Sequence, residues 1–171
     1  MVVALGSCTS KKSAEMAERK PGARLFLFDW EKTSKLEILR WNPETNQNWS
    51  VRLEKEPTQD WVVLTGPDGT QPQDRLAHGK LIAHLLDSLT TLSIRDKAAP
   101  GSLESYQLAR PTTALKWESG GNHFEIKLGA RTADRQATFA LVGDDTQTYE
   151  VQGAAIEVLT QMTSWERIRQ Q

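Results

Sequence analysis

The chain has one cysteine in 171 residues, so it cannot form an internal disulfide or bind a metal through paired thiolates. No apolar run approaches the ~20 residues that a membrane-spanning helix needs. The 21 basic residues nearly balance the 22 acidic ones, so nucleic-acid binding, which needs a basic stripe, is not expected. Hydrophobic residues make up 38% of the chain and charged residues 25%, a composition that predicts a folded domain.

The single cysteine ends the segment Leu5-Gly6-Ser7-Cys8, which resembles a bacterial lipobox. In a lipobox, a cysteine after small residues carries the lipid and becomes the mature N-terminus. A polar stretch follows, as a tether would, but too few residues precede the segment for an apolar leader of about 7–15 residues. Two interpretations stay open. Either Cys8 anchors a lipoprotein with a longer leader, or residues 1–22 are a soluble cytosolic tail with a free thiol.

One long helix is predicted from Asp74 to Leu92. Apolar residues recur there at three- and four-residue spacing, which places them on one face: Leu81, Ile82, Leu85, Leu86, Leu89 and Leu92. Asp74 is the predicted N-cap, because its carboxylate can accept a free backbone N–H. Leu85 and Leu89 are expected to be buried in the middle of this stripe.

Most of the remaining chain alternates apolar and polar residues, as half-buried strands do. Eight short strands are predicted, at residues 25–28, 36–41, 49–54, 61–64, 115–117, 124–128, 137–142 and 148–151. A second helical pattern covers Ala154 to Met162, so 25–92 and 112–168 share the order of four strands and a helix. We therefore predict one α+β domain over 23–171, built from two antiparallel four-stranded β-meanders, each followed by a covering helix.

Catalytic and metal-binding patterns are weak in this sequence. His78 and His84 lie six residues apart on the predicted helix and face opposite sides, so they cannot share a metal as an i, i+4 pair can. Asp144-Asp145 follows a strand without the other oxygen ligands of a calcium loop. Ser102 lies outside any Gly-x-Ser-x-Gly motif. We expect no enzyme activity, no metal and no cofactor.

The tryptophans are the best candidates for binding. Trp49 and Trp61 share the parity of the apolar strand faces and are expected in the core. Three others sit at predicted strand ends, where a ring can be half exposed and contact a partner or a sugar: Trp30, Trp41 and Trp117. Packing of these rings under loops is the alternative.

Several segments together carry a family resemblance. They are Leu25-Phe26-Leu27-Phe28-Asp29, Leu36-Glu37-Ile38, Trp49-Ser50-Val51, Trp61-Val62-Val63, Tyr106-Gln107-Leu108-Ala109-Arg110-Pro111, Phe124-Glu125-Ile126-Lys127-Leu128-Gly129, Thr148-Tyr149-Glu150-Val151 and Trp165-Glu166-Arg167-Ile168-Arg169. In this order they resemble the domain-of-unknown-function 4340 family of bacterial proteins over about residues 25–169. Family members commonly have glycine where this chain has Gln107.

The resemblance implies an extracytoplasmic protein, often encoded beside ABC-type transporter components, with no active-site residues to carry over. We therefore expect a non-catalytic, periplasmic interaction or scaffold domain that is lipid-anchored at Cys8 and serves a transporter- or motility-related envelope complex. The alternative is a small-ligand or glycan-binding domain that uses exposed tryptophans. A flat apolar patch favours a protein partner, whereas a concave pocket with convergent polar groups favours a ligand.

Overall fold

A computed structural model of the chain describes residues 19–42, 46–72, 75–162 and 168. The elements, in order, are β1 (Thr33–Asn42), β2 (Gln47–Lys55), β3 (Trp61–Thr65), α1 (Gly79–Thr90), β4 (Ser93–Lys97), β5 (Thr113–Ser119), β6 (Asn122–Arg131), β7 (Thr138–Val142), β8 (Tyr149–Gln152) and α2 (Ala154–Gln161). A 3₁₀ turn, Trp30–Lys32, precedes β1. Cys8, Asp74 and Trp165 lie outside the described residues. Within the described part of the chain, no helix is both long and apolar enough to span a bilayer.

The eight strands form a single antiparallel sheet in the order β3-β2-β1-β5-β6-β7-β8-β4. The prediction of two separate four-stranded meanders, each with its own covering helix, is therefore wrong, and the domain is mostly β with two short helices. The two groups of strands join where β1 pairs with β5, with Ile38 opposite Leu115. Each hairpin would leave one edge of these strands without hydrogen-bond partners, and their pairing satisfies both edges.

Residues 25–28 lie outside the sheet, contrary to the prediction of a first strand there. Leu25 and Phe26 are buried, whereas Leu27 is 81% exposed. The run of apolar residues therefore reports burial of a segment that has no place in the ladder. The eighth strand is instead β4, which follows α1 directly and contains a single apolar residue, Ile94. One apolar residue is too few to produce a period-two pattern.

Both helices pack on the same face of the sheet and contact each other. Ile82, Leu85, Leu86 and Leu89 are buried, which confirms the predicted apolar stripe of α1. The helix begins at Gly79, and its N-cap is His78, whose Nδ1 accepts a hydrogen bond from the Leu81 amide at 3.3 Å. The residues just before it are extended because the amide of Val63 in β3 donates to the Arg75 carbonyl at 2.7 Å.

The outermost strands are covered by other parts of the same chain. On β3, the Ala77 amide donates to the Trp61 carbonyl at 2.8 Å. On β4, the Gly22 amide donates to the Ile94 carbonyl at 2.7 Å, and the Ile94 amide donates to the Ala23 carbonyl at 2.9 Å. These backbone groups are therefore not available to a strand from another molecule.

The loop between β4 and β5 packs on the face of the sheet opposite the helices. The ring of Tyr106 lies 4.3 Å from that of Phe139, and its hydroxyl donates to the Ala99 carbonyl. Its own carbonyl accepts from the Ala130 amide at 2.9 Å, directly above Gly129. A Cβ at Gly129 would lie 2.0 Å from this carbonyl oxygen, so the backbones approach this closely only because the residue is glycine.

Candidate functional site

Trp117 belongs to the core. Its side chain is 2% exposed, so the prediction of a half-exposed ring is wrong for this residue. The ring stacks on Phe124 with centroids 5.3 Å apart, and Phe26 meets it edge-on at 4.8 Å. The physical reason is that β5 is a central strand whose end is covered by the segment before β1. That position became clear only from the pairing of the strands.

Trp30 and the other strand tryptophans also contribute to packing. Trp30 is partly buried against the core, in the 3₁₀ turn that Asp29 caps by accepting a hydrogen bond from the Glu31 amide at 3.1 Å. Trp61 is buried, as predicted, and Trp49 is partly buried against the core.

Trp41 differs from these because it lies on the face opposite the helices. Leu36 and Ile38 of the same strand are buried in the core, so alternation turns Leu39 and Trp41 to the other side. The Trp41 side chain is half-buried, and its indole N–H donates to the Asn46 side-chain oxygen at 3.4 Å. This hydrogen bond reaches across the turn between β1 and β2 and restrains the ring.

A concave groove of about 640 Å³ opens beside this ring. We call it the Trp41 groove, and its described lining consists of Leu39, Arg40, Trp41, Asn46, Asn48, Trp49, Ser50, Pro67, Arg110, Pro111 and Ala114. The register explains why they meet. Trp41 lies opposite Asn48 on β2, whereas Leu39 lies opposite Ala114 on β5. The groove thus has an aromatic and apolar wall with amide and hydroxyl groups along one side.

The charged residues in the described lining of the Trp41 groove are two arginines. Arg110 is exposed and makes no ion pair with any described residue. Arg40 lies on the helix side, where its Nη1 donates to the Leu159 carbonyl of α2 at 2.8 Å, and burial lowers the pKa of its guanidinium. Arginine nonetheless stays charged at neutral pH. The described lining of the groove includes no carboxylate.

The other end of the same sheet face differs in charge pattern. A second concavity, of about 560 Å³, lies among charged side chains that alternate in sign from strand to strand. The Arg52 guanidinium lies 3.0 Å from the Glu37 carboxylate, and Lys35 lies 3.1 Å from Glu118. Lys116, Glu125 and Asp144 line the same concavity, so charges of both signs meet at this end of the face.

Asp145 and the histidines, which the sequence did not favour as metal ligands, contact other side chains or the backbone. The Asp145 carboxylate accepts a hydrogen bond from the Tyr149 hydroxyl at 3.1 Å and lies 3.6 Å from Arg19. His78 caps α1, and His123 is exposed beside Glu118. Among the described residues, no group of three or more histidine, cysteine, aspartate or glutamate side chains could hold a metal ion.

The first described residue, Arg19, lies on the β8 side of the sheet, four strands from β1 and the Trp41 groove. Arg19 contacts Asp145, in the turn after β7, and covers the ring of Tyr149 at 5.6 Å. This turn lies beside the start of β6, where the Gly143 amide donates to the Glu125 carbonyl at 3.0 Å. Ala140 lies opposite both Tyr149 and Leu128, and Thr113 lies opposite both Leu128 and Arg40, so Arg19 is separated from Trp41 mainly across the strands.

Sequence reasoning picked out Trp41 but missed Asn48, Ser50 and Arg110. A usable signal was the parity of Trp41, which is opposite to that of Leu36 and Ile38 within one strand. The position of Trp41 in the alternation shows which face of the sheet its ring lies on, but not which strands flank β1. The partners of Trp41 depend on the β1–β2 register and on the return of the chain at β5, which local alternation does not encode.

Comparisons with known proteins place the chain in a family. No curated protein and no solved structure matches it. A family model, described as a domain of unknown function (DUF4340), matches residues 63–167, which is more than half of the chain. This stretch includes the Tyr106 loop, Gly129 and the Arg110 side of the Trp41 groove, whereas Trp41 itself precedes it. The resemblance seen in the sequence is confirmed, and the chain belongs to the DUF4340 family.

Proposed function

We propose that this chain is a non-catalytic interaction domain that binds a protein partner through the Trp41 groove, as an accessory subunit of a cell-envelope complex. The observation that carries the proposal is the half-buried Trp41 ring, fixed by Asn46 at the wall of an open groove. A large aromatic ring that is already restrained loses little conformational entropy on binding, which is why such rings dominate many interfaces.

The first described residue lies apart from the groove. Arg19 contacts Asp145 and Tyr149 on the β8 side of the sheet, whereas the Trp41 groove lies on β1, β2 and the start of β5. An anchor at Cys8 would hold the domain on the periplasmic side of a membrane through a part of the chain that does not line the groove. The domain could then meet a partner that projects from the membrane.

The covered sheet edges support a side-chain-lined groove over strand addition. The outer edge of β4 is already paired with residues 22–24, and the outer edge of β3 is paired with residues 75–77. A partner would have to displace these segments in order to add a strand. The groove needs no such displacement, because its walls are formed in the folded domain.

A small ligand or glycan is the second candidate for the same groove. The observation that favours it is the concave shape, with Asn46, Asn48 and Ser50 converging near an aromatic ring. A volume of about 640 Å³ falls in the range of about 300–1,000 Å³ that is usual for small-molecule sites.

Photo-crosslinking in the native cells tests the proposal. A photoreactive amino acid is placed at Ser50, in the groove, and in a control at Asp87, on the exposed side of α1. We expect the Ser50 derivative of the full-length gene product to crosslink to a discrete envelope protein that the Asp87 derivative does not capture. Equal crosslinking from both positions, or none from Ser50, would contradict a protein partner at this groove.

Mass spectrometry of the native protein tests the anchor separately. We expect a lipid-modified Cys8 at the mature N-terminus. An unmodified Cys8 in a chain that retains Met1 would show that the domain is not a lipoprotein, whatever the crosslinking result.

A further inference from the structure

We infer that the partner segment bound in the Trp41 groove is an extended acidic peptide. This inference rests on the proposed function and specifies the chemistry of the partner. Three features of the groove carry it: the charge of its described lining, the spacing of the polar groups along β2, and the apolar contact that Trp41 offers.

The first feature is the guanidinium of Arg110. It is exposed at the rim of the groove and has no ion pair with a described residue. Arginine offers a planar fork of donors that matches a carboxylate, and this pairing fixes orientation as well as position. The partly buried guanidinium of Arg40 lies beneath the same end of the sheet and carries a second positive charge. A carboxylate of the partner is the complementary group.

The second feature is the polar row on β2. Asn48 and Ser50 are alternate residues of one strand, so they point to the same face about 6–7 Å apart. A peptide in extended conformation repeats its own outward-facing groups at the same interval. The amide and hydroxyl can therefore meet two successive backbone groups of such a peptide without a mismatch in spacing.

The third feature is the contrast with the rest of this sheet face. At the other end the charges are paired across strands, as in the contacts of Arg52 with Glu37 and of Lys35 with Glu118. An acidic peptide is disfavoured there, because four carboxylates line that concavity: Glu37, Glu118, Glu125 and Asp144. The Trp41 groove combines an exposed cation and an apolar wall with a described lining free of carboxylates, so it is where an acidic segment with an apolar side chain binds best.

Peptide selection on the purified full-length chain tests the inference. A displayed library of random peptides of about 12 residues is long enough to cross the groove at ~3.3 Å per residue. We expect selected peptides to be enriched in aspartate and glutamate next to an apolar residue. The strongest peptide should bind Trp41→Ala and Arg110→Glu at least about tenfold more weakly. The control, Lys80→Glu on the exposed side of α1, should bind it within about twofold of wild type.

A charge swap completes the test. A version of the selected peptide with lysine in place of its acidic residues should bind Arg110→Glu better than wild type. Peptides without acidic enrichment, or a peptide that binds Arg110→Glu as it binds wild type, would overturn the inference. So would selective binding of glycans from an array of neutral and acidic oligosaccharides. If a protein still crosslinks at Ser50 in cells, these outcomes remove the acidic peptide and leave the proposed function intact.

Discussion

Gly129 is the position where one added methyl group should cost most. It lies in β6 directly beneath the Tyr106 carbonyl, and an added Cβ would stand 2.0 Å from that oxygen and 3.2 Å from the Leu108 side chain. The nearest atom belongs to the backbone of a packed loop, so a rotation of a flexible side chain cannot relieve the contact. The substitution Gly129→Ala must therefore move the loop away from the sheet.

Two contributions set the size of the effect. Overpacking at a constrained position costs about 1–3 kcal/mol. Moving the loop also weakens the hydrogen bond from the Ala130 amide to the Tyr106 carbonyl, now 2.9 Å long, which contributes about 0.5–1.5 kcal/mol. Their sum is a loss of about 1.5–4.5 kcal/mol in the free energy of unfolding. For a domain of this size, that corresponds to a fall in Tm of roughly 3–18 °C.

Thermal unfolding followed by circular dichroism measures this loss. The matched control is Gly79→Ala, because Gly79 begins α1 and an added Cβ there meets no atom within 4 Å. Alanine is favoured over glycine in a helix by about 0.5–1 kcal/mol, so the control should melt at or slightly above the wild-type temperature. If Gly129→Ala melts together with Gly79→Ala, the close approach of the loop is not a constraint on the fold.

Three further predictions concern stability. Leu89→Ala should cost about 2–5 kcal/mol in chemical denaturation, because Leu89 is buried in the core, and a smaller loss would mean that α1 packs loosely. Gln107→Gly should raise Tm by a few degrees, because Gln107 is exposed and held at φ +57°, which costs a non-glycine residue about 1–2 kcal/mol; an unchanged or lower Tm would contradict this. The Arg95 guanidinium, 2.6 Å away, holds the pKa of the Asp134 carboxyl well below its usual value. The ionised Asp134 carboxylate therefore contributes its full stabilisation above the unfolded pKa of ~3.9, and this contribution is lost as pH falls below that value. At low salt, the difference in unfolding free energy between wild type and Asp134→Asn should therefore narrow in acid. A difference that does not depend on pH would refute this.

The local pattern of apolar residues was sufficient to locate most helices and strands, because buried positions recur at the spacing of a helix or a strand. The stripe that includes Leu85 and Leu89 predicted α1 correctly, and strict alternation from Trp49 to Leu53 predicted β2. The same information failed at residues 25–28, where an extended segment buries Phe26 without joining the ladder. An apolar pattern indicates which residues of a segment are buried, but it does not show whether the segment pairs with a strand.

Pairing between distant segments decided what local pattern could not. The β1–β5 contact joins residues far apart in the chain, and it converts two groups of strands into one sheet. It also brings Arg110 to Trp41. A strand of either group could pair with several other strands at a similar free energy. The correct partner is therefore determined by the packing of the whole sheet.

Under the proposed function, the two faces of the sheet serve stability and recognition separately. Trp117 faces the helices and packs against Phe26 and Phe124, so its ring contributes to the core. Trp41 is on β1, the immediate neighbour of β5, but its ring lies on the opposite face of the sheet. A ring on the helix face is therefore constrained by every residue that packs against it, whereas the Trp41 ring is constrained mainly by one hydrogen bond to Asn46. Under the proposed function, a residue on that second face can change with the partner while the core that supports it stays the same.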